Sequence, residues 1–262
     1  MKNKRDMRFE FGANWSRFLS SLDEERIREA EASLCSQLGV ETLKGKTFLD
    51  IGSGSGLSSL AARNLGAKVH SFDYDSNSVV CTSKLRLRYY NEDSDWEVEQ
   101  GSALDAEYLE GLGCFDVVYS FGVLHHTGSM MQAINNCLPL VRQNGKLWIS
   151  LYQKGPKYQK HLNTKIKYNS TSSIGKKLMI YNMIIKMMII KIINFENPLR
   201  WNEKRLRGMN AYNDIIDWLG GLPYEVASED EVLNVCRKSG FILDRIKVAP
   251  EGGCSNYVFS KP

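Results

Sequence analysis

The sequence contains no C-x-x-C pair. Its six cysteines, Cys35, Cys81, Cys114, Cys137, Cys236 and Cys254, are scattered along the chain. That argues against a zinc ribbon or a disulfide framework and for reduced thiols in a cytosolic setting. There is no H-x-x-x-H and no carboxylate pair suited to an ion, so no metal is expected. No internal repeat is apparent. The opening MKNKRDMRFEFGANW has no apolar stretch long enough for a secretory signal, so a cytoplasmic location is expected. The run LMIYNMIIKMMIIKIINF, Leu178–Phe195, is nearly long enough to span a bilayer, but Lys186 and Lys191 interrupt it. A central lysine costs about 2.5–3.5 kcal/mol on insertion. The readings left are a packed lid helix, a helix joining two copies in a homodimer, and a helix lying peripherally on the inner membrane surface.

What is present is ordinary for a soluble globular chain: 43% hydrophobic and 24% charged residues in a length of 262. That length can bury one good core and still carry an insertion. The net charge of +4 hides an asymmetry. From Lys154 to Arg207 there are 13 lysines and arginines against two acids, Glu196 and Glu203, so this stretch carries +11 and the rest of the chain −7. A basic segment on an acidic body suits an anionic partner: a phosphorylated small molecule, nucleic acid or a membrane surface.

Residues 22–37 read as a helix, with Leu22, Ile27, Ala30, Leu34 and Leu38 near helical spacing. Strands are then predicted at Thr47–Ile51, Lys68–Phe72, Trp96–Gln100, Asp116–Ser120 and Lys146–Leu151. Helices are predicted between them at Leu57–Leu65, Ser76–Tyr90, Ala106–Leu112 and Ser129–Val141. Asn144-Gly145 signals a turn before the fifth strand. The alternation implies a parallel sheet covered on both faces. Residues 153–175 read as polar, basic loop. The alternation resumes with a helix near Ser228–Lys238 and strands near Phe241–Val248 and Asn256–Ser260. The fold class expected is α/β, with an insertion of about 70 residues after strand five.

The stretch FLDIGSGSGLSS, Phe48–Ser59, is a strand, a glycine-rich turn and a helix start, which is the nucleoside or phosphate cradle of doubly wound folds. The dinucleotide fingerprint G-x-G-x-x-G fails from either glycine, because Leu57 or Ser59 stands at its last position, and the P-loop ending G-K-[ST] is absent. What remains is Asp50-x-Gly52-x-Gly54-x-Gly56. Asp73, 21 residues after Gly52, is placed to bind both hydroxyls of a ribose. GSALD, Gly101–Asp105, follows the third strand, and FDVVYSFGVLHHT, Phe115–Thr127, covers the fourth strand and the loop beyond it.

These four stretches together resemble the cofactor motifs of the class I S-adenosylmethionine-dependent methyltransferases, over roughly residues 40–152 and more loosely over 226–262. The resemblance implies a Rossmann-like doubly wound sheet of about seven strands, mostly parallel with the last antiparallel. It implies a lid segment at 1–40, a cofactor-binding core at 41–152, a basic helical insertion capping the substrate at 153–225, and a closing helix and strand pair at 226–262. S-adenosyl-L-methionine is the cofactor implied. Gly52, Ser53 and Gly54 would cradle its methionine part, and Asp50 would help hold its amino group. Asp73 would take the ribose, and Tyr74 would pack on the adenine. Ser102 and Ala103 would face the adenine edge, with Ser102 standing where many relatives have an acid. Ser120 and Phe121 would border the sulfonium. Phe11 and Trp15, in the aromatic FEFGANWSRF, would fold over the cofactor.

The sulfonium methyl is a good electrophile, so the protein must align an acceptor, exclude water and take a proton where the acceptor is a hydroxyl. Histidine suits that last task at neutral pH, and His125, then His126, are the candidates. The acceptor is expected to touch some of Arg207, Tyr212, Asp214, Tyr224 and Glu225 in the insertion, with Asn256 near the end of the chain. The function expected is methyl transfer to a small molecule, first of all the hydroxyl of a sugar, a nucleotide-sugar or another phosphorylated metabolite. A small amine stays open as acceptor. Nucleic acid is disfavoured, because the basic residues are interleaved with Met and Ile and no NPPY-type tetrapeptide follows the fourth strand. A reading outside enzymes also stays open: a cofactor-binding scaffold that uses residues 178–195 to bind a membrane or a partner.

Overall fold

The computed structural model describes Phe9 and residues 22–91, 94–202 and 211–262. Phe11, Trp15 and Arg207 lie outside the described residues. The chain forms two compact units. The larger runs up to Tyr158 and resumes from Tyr224 to Pro262, and the smaller comprises Gln159–Pro223 with Phe9.

The larger unit begins with α1 (Glu24–Leu38). Asp23 caps it by accepting from Arg26 N at 2.9 Å, acids fill its first turn, and Gly39 closes it at φ +69°. Then follow β1 (Thr47–Ile51), α2 (Leu57–Asn64), β2 (Lys68–Asp73), α3 (Ser76–Tyr89), β3 (Trp96–Gln100), α4 (Ala106–Leu112), β4 (Phe115–Phe121), α5 (Met130–Cys137) and β5 (Val141–Tyr152). After the smaller unit come α9 (Glu229–Lys238), β6 (Ile242–Lys247) and β7 (Cys254–Ser260). The seven strands are ordered β3-β2-β1-β4-β5-β7-β6, parallel except for β7, which runs against both neighbours. The order reverses between β1 and β4, and in open α/β sheets a ligand sits at the carboxyl ends of the strands at such a point.

One face of the sheet is aliphatic. Leu49, Ile51, Val118, Leu147, Ile149, Leu151 and Phe259 pack there with Leu109 of α4, Ile134 of α5 and Val232 of α9, all nearly or wholly buried. Truncating one such Leu or Ile to Ala costs about 2–5 kcal/mol. The other face is mixed. Phe48 and Tyr119 meet with ring centroids 5.6 Å apart, and Ser58 Oγ of α2 donates to the Tyr119 hydroxyl.

Two expected boundaries move. β5 starts at Val141 rather than Lys146, and the predicted helix ends four residues early, in a single tight turn at Leu138–Leu140 around Pro139. Asn144 adopts φ +62° inside β5, and the register against β4 slips there, so the turn signal became an irregularity within a strand. Residues 153–175 are only partly loop, at 153–157 and 171–172. Tyr158–Ser170 form α6, whose Lys165 and Tyr168 are buried. Lys165 Nζ donates to the Trp218 carbonyl, and Asn169 Nδ2 donates to the Gly220 carbonyl at 2.8 Å. Polar residues that look like loop in sequence thus close the carbonyl end of α8 (Ala211–Gly220). In the same unit α7 (Ser173–Ile193) packs Ile180 and Ile184 against Ile215 and Leu219 of α8.

Candidate active site

The turn after β1 is built from left-handed glycines: Gly52, Gly54 and Gly56 have φ of +78°, +56° and +80°. At Gly52 close approach is a second requirement, because an added Cβ would lie 2.4 Å from Cγ2 of Val123, in the loop after β4. Sequence reasoning missed Val123, and no local pattern signals a contact across 71 positions. The turn spends its N–H groups internally. Gly52 N and Ser53 N donate to the Phe72 carbonyl, Gly54 N to Asp73 Oδ2, Gly56 N to the Ser53 carbonyl and Leu57 N to Ser55 Oγ. A phosphate cradle needs those N–H groups aimed at the ligand. This turn suits a ligand whose approaching groups are cationic or donating.

Two of the residues expected at the ligand brace the turn from beneath. Asp50 is buried, and its Oδ2 accepts from Ser59 Oγ at 2.5 Å. Ser59 pairs with Ser71, which accepts from Trp96 Nε1. Ser53 turns its hydroxyl to Thr82 Oγ1 at 2.9 Å. Both side chains hold the turn in place.

Asp73, at the end of β2, accepts from Gly54 N on one oxygen and from Asp75 N on the other, each at 2.9 Å. The Tyr74 N–H also bears on this carboxylate, which keeps lone-pair capacity for a further donor. Burial pushes its carboxyl up from the ordinary 3.8 to about 6, against the lowering effect of those N–H bonds. Tyr74, beside it, is 57% exposed and offers a flat face. Across the rim, Gly101 N donates to the Asp73 carbonyl and Asn136 Nδ2 to the Ala103 carbonyl. Ser102 Oγ accepts from Leu104 N, which fixes the local turn.

At the end of β4, Ser120 is fully buried and donates to the Ile51 carbonyl at 3.1 Å, so its side chain ties β4 to β1 rather than bordering a ligand. Phe121 is half-buried, stacked on Tyr119 and edge-on to Trp148. The loop beyond carries both histidines in one tight turn, Leu124–His126. His125 is buried, and its Nδ1 accepts from Tyr152 N at 3.2 Å. In the neutral ring Nε2 then carries the proton and is a donor, so His125 has no basic nitrogen to offer. His126 is half-buried and lies edge-on to Tyr152.

Glu225 is a correction too. Its carboxylate accepts from Gly128 N at 2.9 Å and from Met130 N at 3.0 and 3.1 Å, and its own N–H donates to the His125 carbonyl. It clamps the histidine loop onto the start of α5; burial raises its pKa despite those bonds. Tyr224 is buried between Tyr152 and Tyr158. Burial first, then Glu251, Tyr158 and Cys254, pushes its phenol up to about 12, so it stays protonated at neutral pH. Tyr212 and Asp214 stand on α8 of the smaller unit.

Asn256 of β7 faces Ser150 of β5 in register, with Trp148 two residues earlier on the same face. Trp148 Nε1, Ser150 Oγ and Asn256 Oδ1 are all buried without a hydrogen-bond partner. Leaving such a group unsatisfied costs about 1–3 kcal/mol. The three lie on one face of the sheet, with Ser150 and Trp148 two and four residues before the carboxyl end of β5. Trp148 and Ser150 were not expected here, although the run Leu147–Tyr152 hints at it: one face reads Leu, Ile, Leu and the other Trp, Ser, Tyr.

Residues 49–149 match the family model described as a methyltransferase domain. That match, together with the fold, supports a class I S-adenosylmethionine-dependent methyltransferase core in this chain. A tRNA U34 carboxymethyltransferase from Pseudoalteromonas translucida is 32% identical over 108 residues, which is 41% of this chain and 32% of that protein. A ubiquinone biosynthesis O-methyltransferase from Stutzerimonas stutzeri is 30% identical over 116 residues, 44% of this chain and 48% of that protein. The chain thus spans a third to a half of the curated relatives it matches. Among solved structures, magnesium protoporphyrin IX methyltransferase from Synechocystis PCC 6803 with bound SAH superposes with TM-score 0.54 at 14% identity, covering 91% of this chain and 83% of that one. A SAM-dependent methyltransferase from Aquifex aeolicus gives 0.52 at 13%, covering 95% and 98%. These two show the shared fold.

The methyltransferase site fits its nucleoside cofactor. Asp73 would offer its remaining lone-pair capacity to a ribose diol and Tyr74 an exposed ring to the adenine, while the turn presents no cluster of N–H groups to a phosphate. The Asp73 shift makes binding pH-dependent. A diol donates to the carboxylate, so binding favours the ionised form. Affinity for S-adenosylmethionine should be flat above about pH 7 and fall below pH 6, approaching tenfold per unit. In the free protein the sign is opposite: the stabilisation from protonated Asp73 is fully present below about pH 4 and is lost as pH rises through about 6. Calorimetric titrations at several pH values check this, and Asp73→Asn should remove the dependence.

Proposed function

We propose that the protein transfers a methyl group from S-adenosylmethionine to a hydroxyl of a small molecule. The observation that carries the acceptor half is the partnerless set of Trp148 Nε1, Ser150 Oγ and Asn256 Oδ1. It offers one N–H donor, one hydroxyl and one carbonyl acceptor, with aromatic rings around it. All are uncharged. That suits a hydroxyl-bearing group better than a phosphate, so the sugar-like acceptor of the sequence reading is kept and its phosphorylated form is not favoured. The likeness to the O-methyltransferase and to the tRNA-modifying enzyme lies within the same core, so neither name decides the acceptor.

The cofactor supplies an electrophilic methyl on a sulfonium. This chain's residues do the rest. The polar set orients the acceptor, Phe121 shields the reacting centre from water, and His126 accepts the hydroxyl proton as the new carbon–oxygen bond forms and the carbon–sulfur bond breaks. Glu225 positions His126 by fixing its loop at both ends.

The test is release of S-adenosylhomocysteine with a panel of neutral hydroxyl compounds (catechol, glucose, inositol) and their phosphates. Ser150→Ala and Asn256→Ala should each lower kcat/KM by about 2- to 12-fold, the worth of one hydrogen bond. KM for S-adenosylmethionine and the melting temperature should hold, since an unpartnered group is being removed. Unchanged turnover in both variants, or activity confined to phosphates, would overturn this assignment.

A further inference from the structure

Helix α7 is apolar on two sides. One side, with Ile180, Ile184 and Met183, packs within the smaller unit. The other is bare. Ile174, Leu178, Tyr181, Ile185, Ile189 and Ile192 follow at steps of three or four residues, and each is between 48% and 73% exposed. At 1.5 Å per residue this stripe is about 27 Å long. It continues past the helix end into Phe195, which is wholly exposed, and Leu199.

The charges around the stripe have one sign. Within α7 the only charged residues are Lys176, Lys177, Lys186 and Lys191. At 100° per residue Lys177 falls just to one side of the stripe and Lys186 just to the other. Lys191 pairs with Glu196 at 2.7 Å. Among the described residues no helix is long and apolar enough to cross a membrane. A long apolar stripe flanked by lysines on a helix that does not span describes a helix lying in the plane of a lipid interface.

We infer that this face of α7 docks on the surface of an anionic phospholipid bilayer. The occupant is decided by charge. A second copy would bring another segment of +11 against this one, and the two would repel; an anionic leaflet attracts it and lets the lysine stems reach the headgroups. The bare stripe supplies the apolar contact, with Tyr181 and Phe195 as aromatic anchors. This surface is independent of the methyl-transfer reading and would tether the enzyme beside membrane-soluble molecules.

The experiment is flotation of the full chain with vesicles of phosphatidylcholine alone or mixed with phosphatidylglycerol. The protein should float with the mixed vesicles and not with phosphatidylcholine alone. The Ile185→Glu/Ile189→Glu double variant, confined to the exposed stripe, should lose at least about tenfold in partitioning. Lys177→Glu/Lys186→Glu should do likewise. Both variants should keep S-adenosylmethionine affinity by calorimetry, which shows that the fold and the cofactor site stand. Absence of flotation by the native chain, or equal flotation of the Glu variants, overturns the assignment. So does a concentration-dependent dimer that the Ile185→Glu/Ile189→Glu variant abolishes without any vesicle binding.

Discussion

Replacing His126 with alanine should lower turnover on a hydroxyl acceptor by about 10²–10⁴-fold, the usual worth of a positioned general base. Affinity for S-adenosylmethionine should hardly change, because the ribose and adenine contacts lie on β2 and β3. The neighbouring substitution should behave differently. His125→Ala removes the acceptor of the Tyr152 N–H and opens a cavity beside the Tyr152 ring, whose centroid lies 3.9 Å from that of His125. An orphaned buried N–H costs about 1–3 kcal/mol, so the main result should be a lower melting temperature. His125→Asn, which can still accept from that N–H, should recover part of it. Single-turnover rates across pH separate the two histidines. A rate that loses its acid limb in His126→Ala assigns the base. Normal turnover in His126→Ala with a collapse in a well-folded His125→Ala would reverse the assignment.

Asp73→Ala is the second large effect. A charge-assisted hydrogen bond is worth about 1.5–3 kcal/mol, which converts to roughly 10- to 150-fold in S-adenosylmethionine affinity. The substitution also frees Gly54 N and Asp75 N, which Asp73 now holds. Asp73→Asn retains an oxygen on one side and should lose less. Calorimetry with S-adenosylhomocysteine measures both, with thermal melting as a check on the turn. Affinity unchanged in Asp73→Ala would remove the ribose assignment.

The turn and the acid proposed for the cofactor were legible because they are local. A strand, a turn needing positive φ at Gly52, Gly54 and Gly56, and an acid at the end of the next strand all sit at fixed spacings, and their alternation implies a parallel sheet. The rest depends on contacts that spacing does not record. Glu225 looked like an acceptor residue because it is an acid in an aromatic insertion. Its partners, Gly128 and Met130, are nearly a hundred positions away. His125 and His126 are adjacent in sequence, and burial and the Tyr152 N–H bond to His125 distinguish them. Asp50 and Ser53 carry the expected residue types but face inward, because the turn needs props under it. Residues 153–175 looked like loop because α6 uses lysine and asparagine, rather than apolar residues, to close the carbonyl end of α8. Asn256 was found for its place near the end of the chain. Its neighbours Trp148 and Ser150 lie in a strand read only for its place in the sheet.

The central claim is that the turn at Gly52–Gly56 and Asp73 hold a nucleoside sulfonium rather than a nucleotide phosphate. Titrating the purified chain with S-adenosylmethionine, NAD and ATP in one calorimetric series tests it most directly. The account predicts saturable one-to-one binding of S-adenosylmethionine, weakened below pH 6, and no heat from the other two. Uptake of NAD or ATP with indifference to S-adenosylmethionine would contradict it.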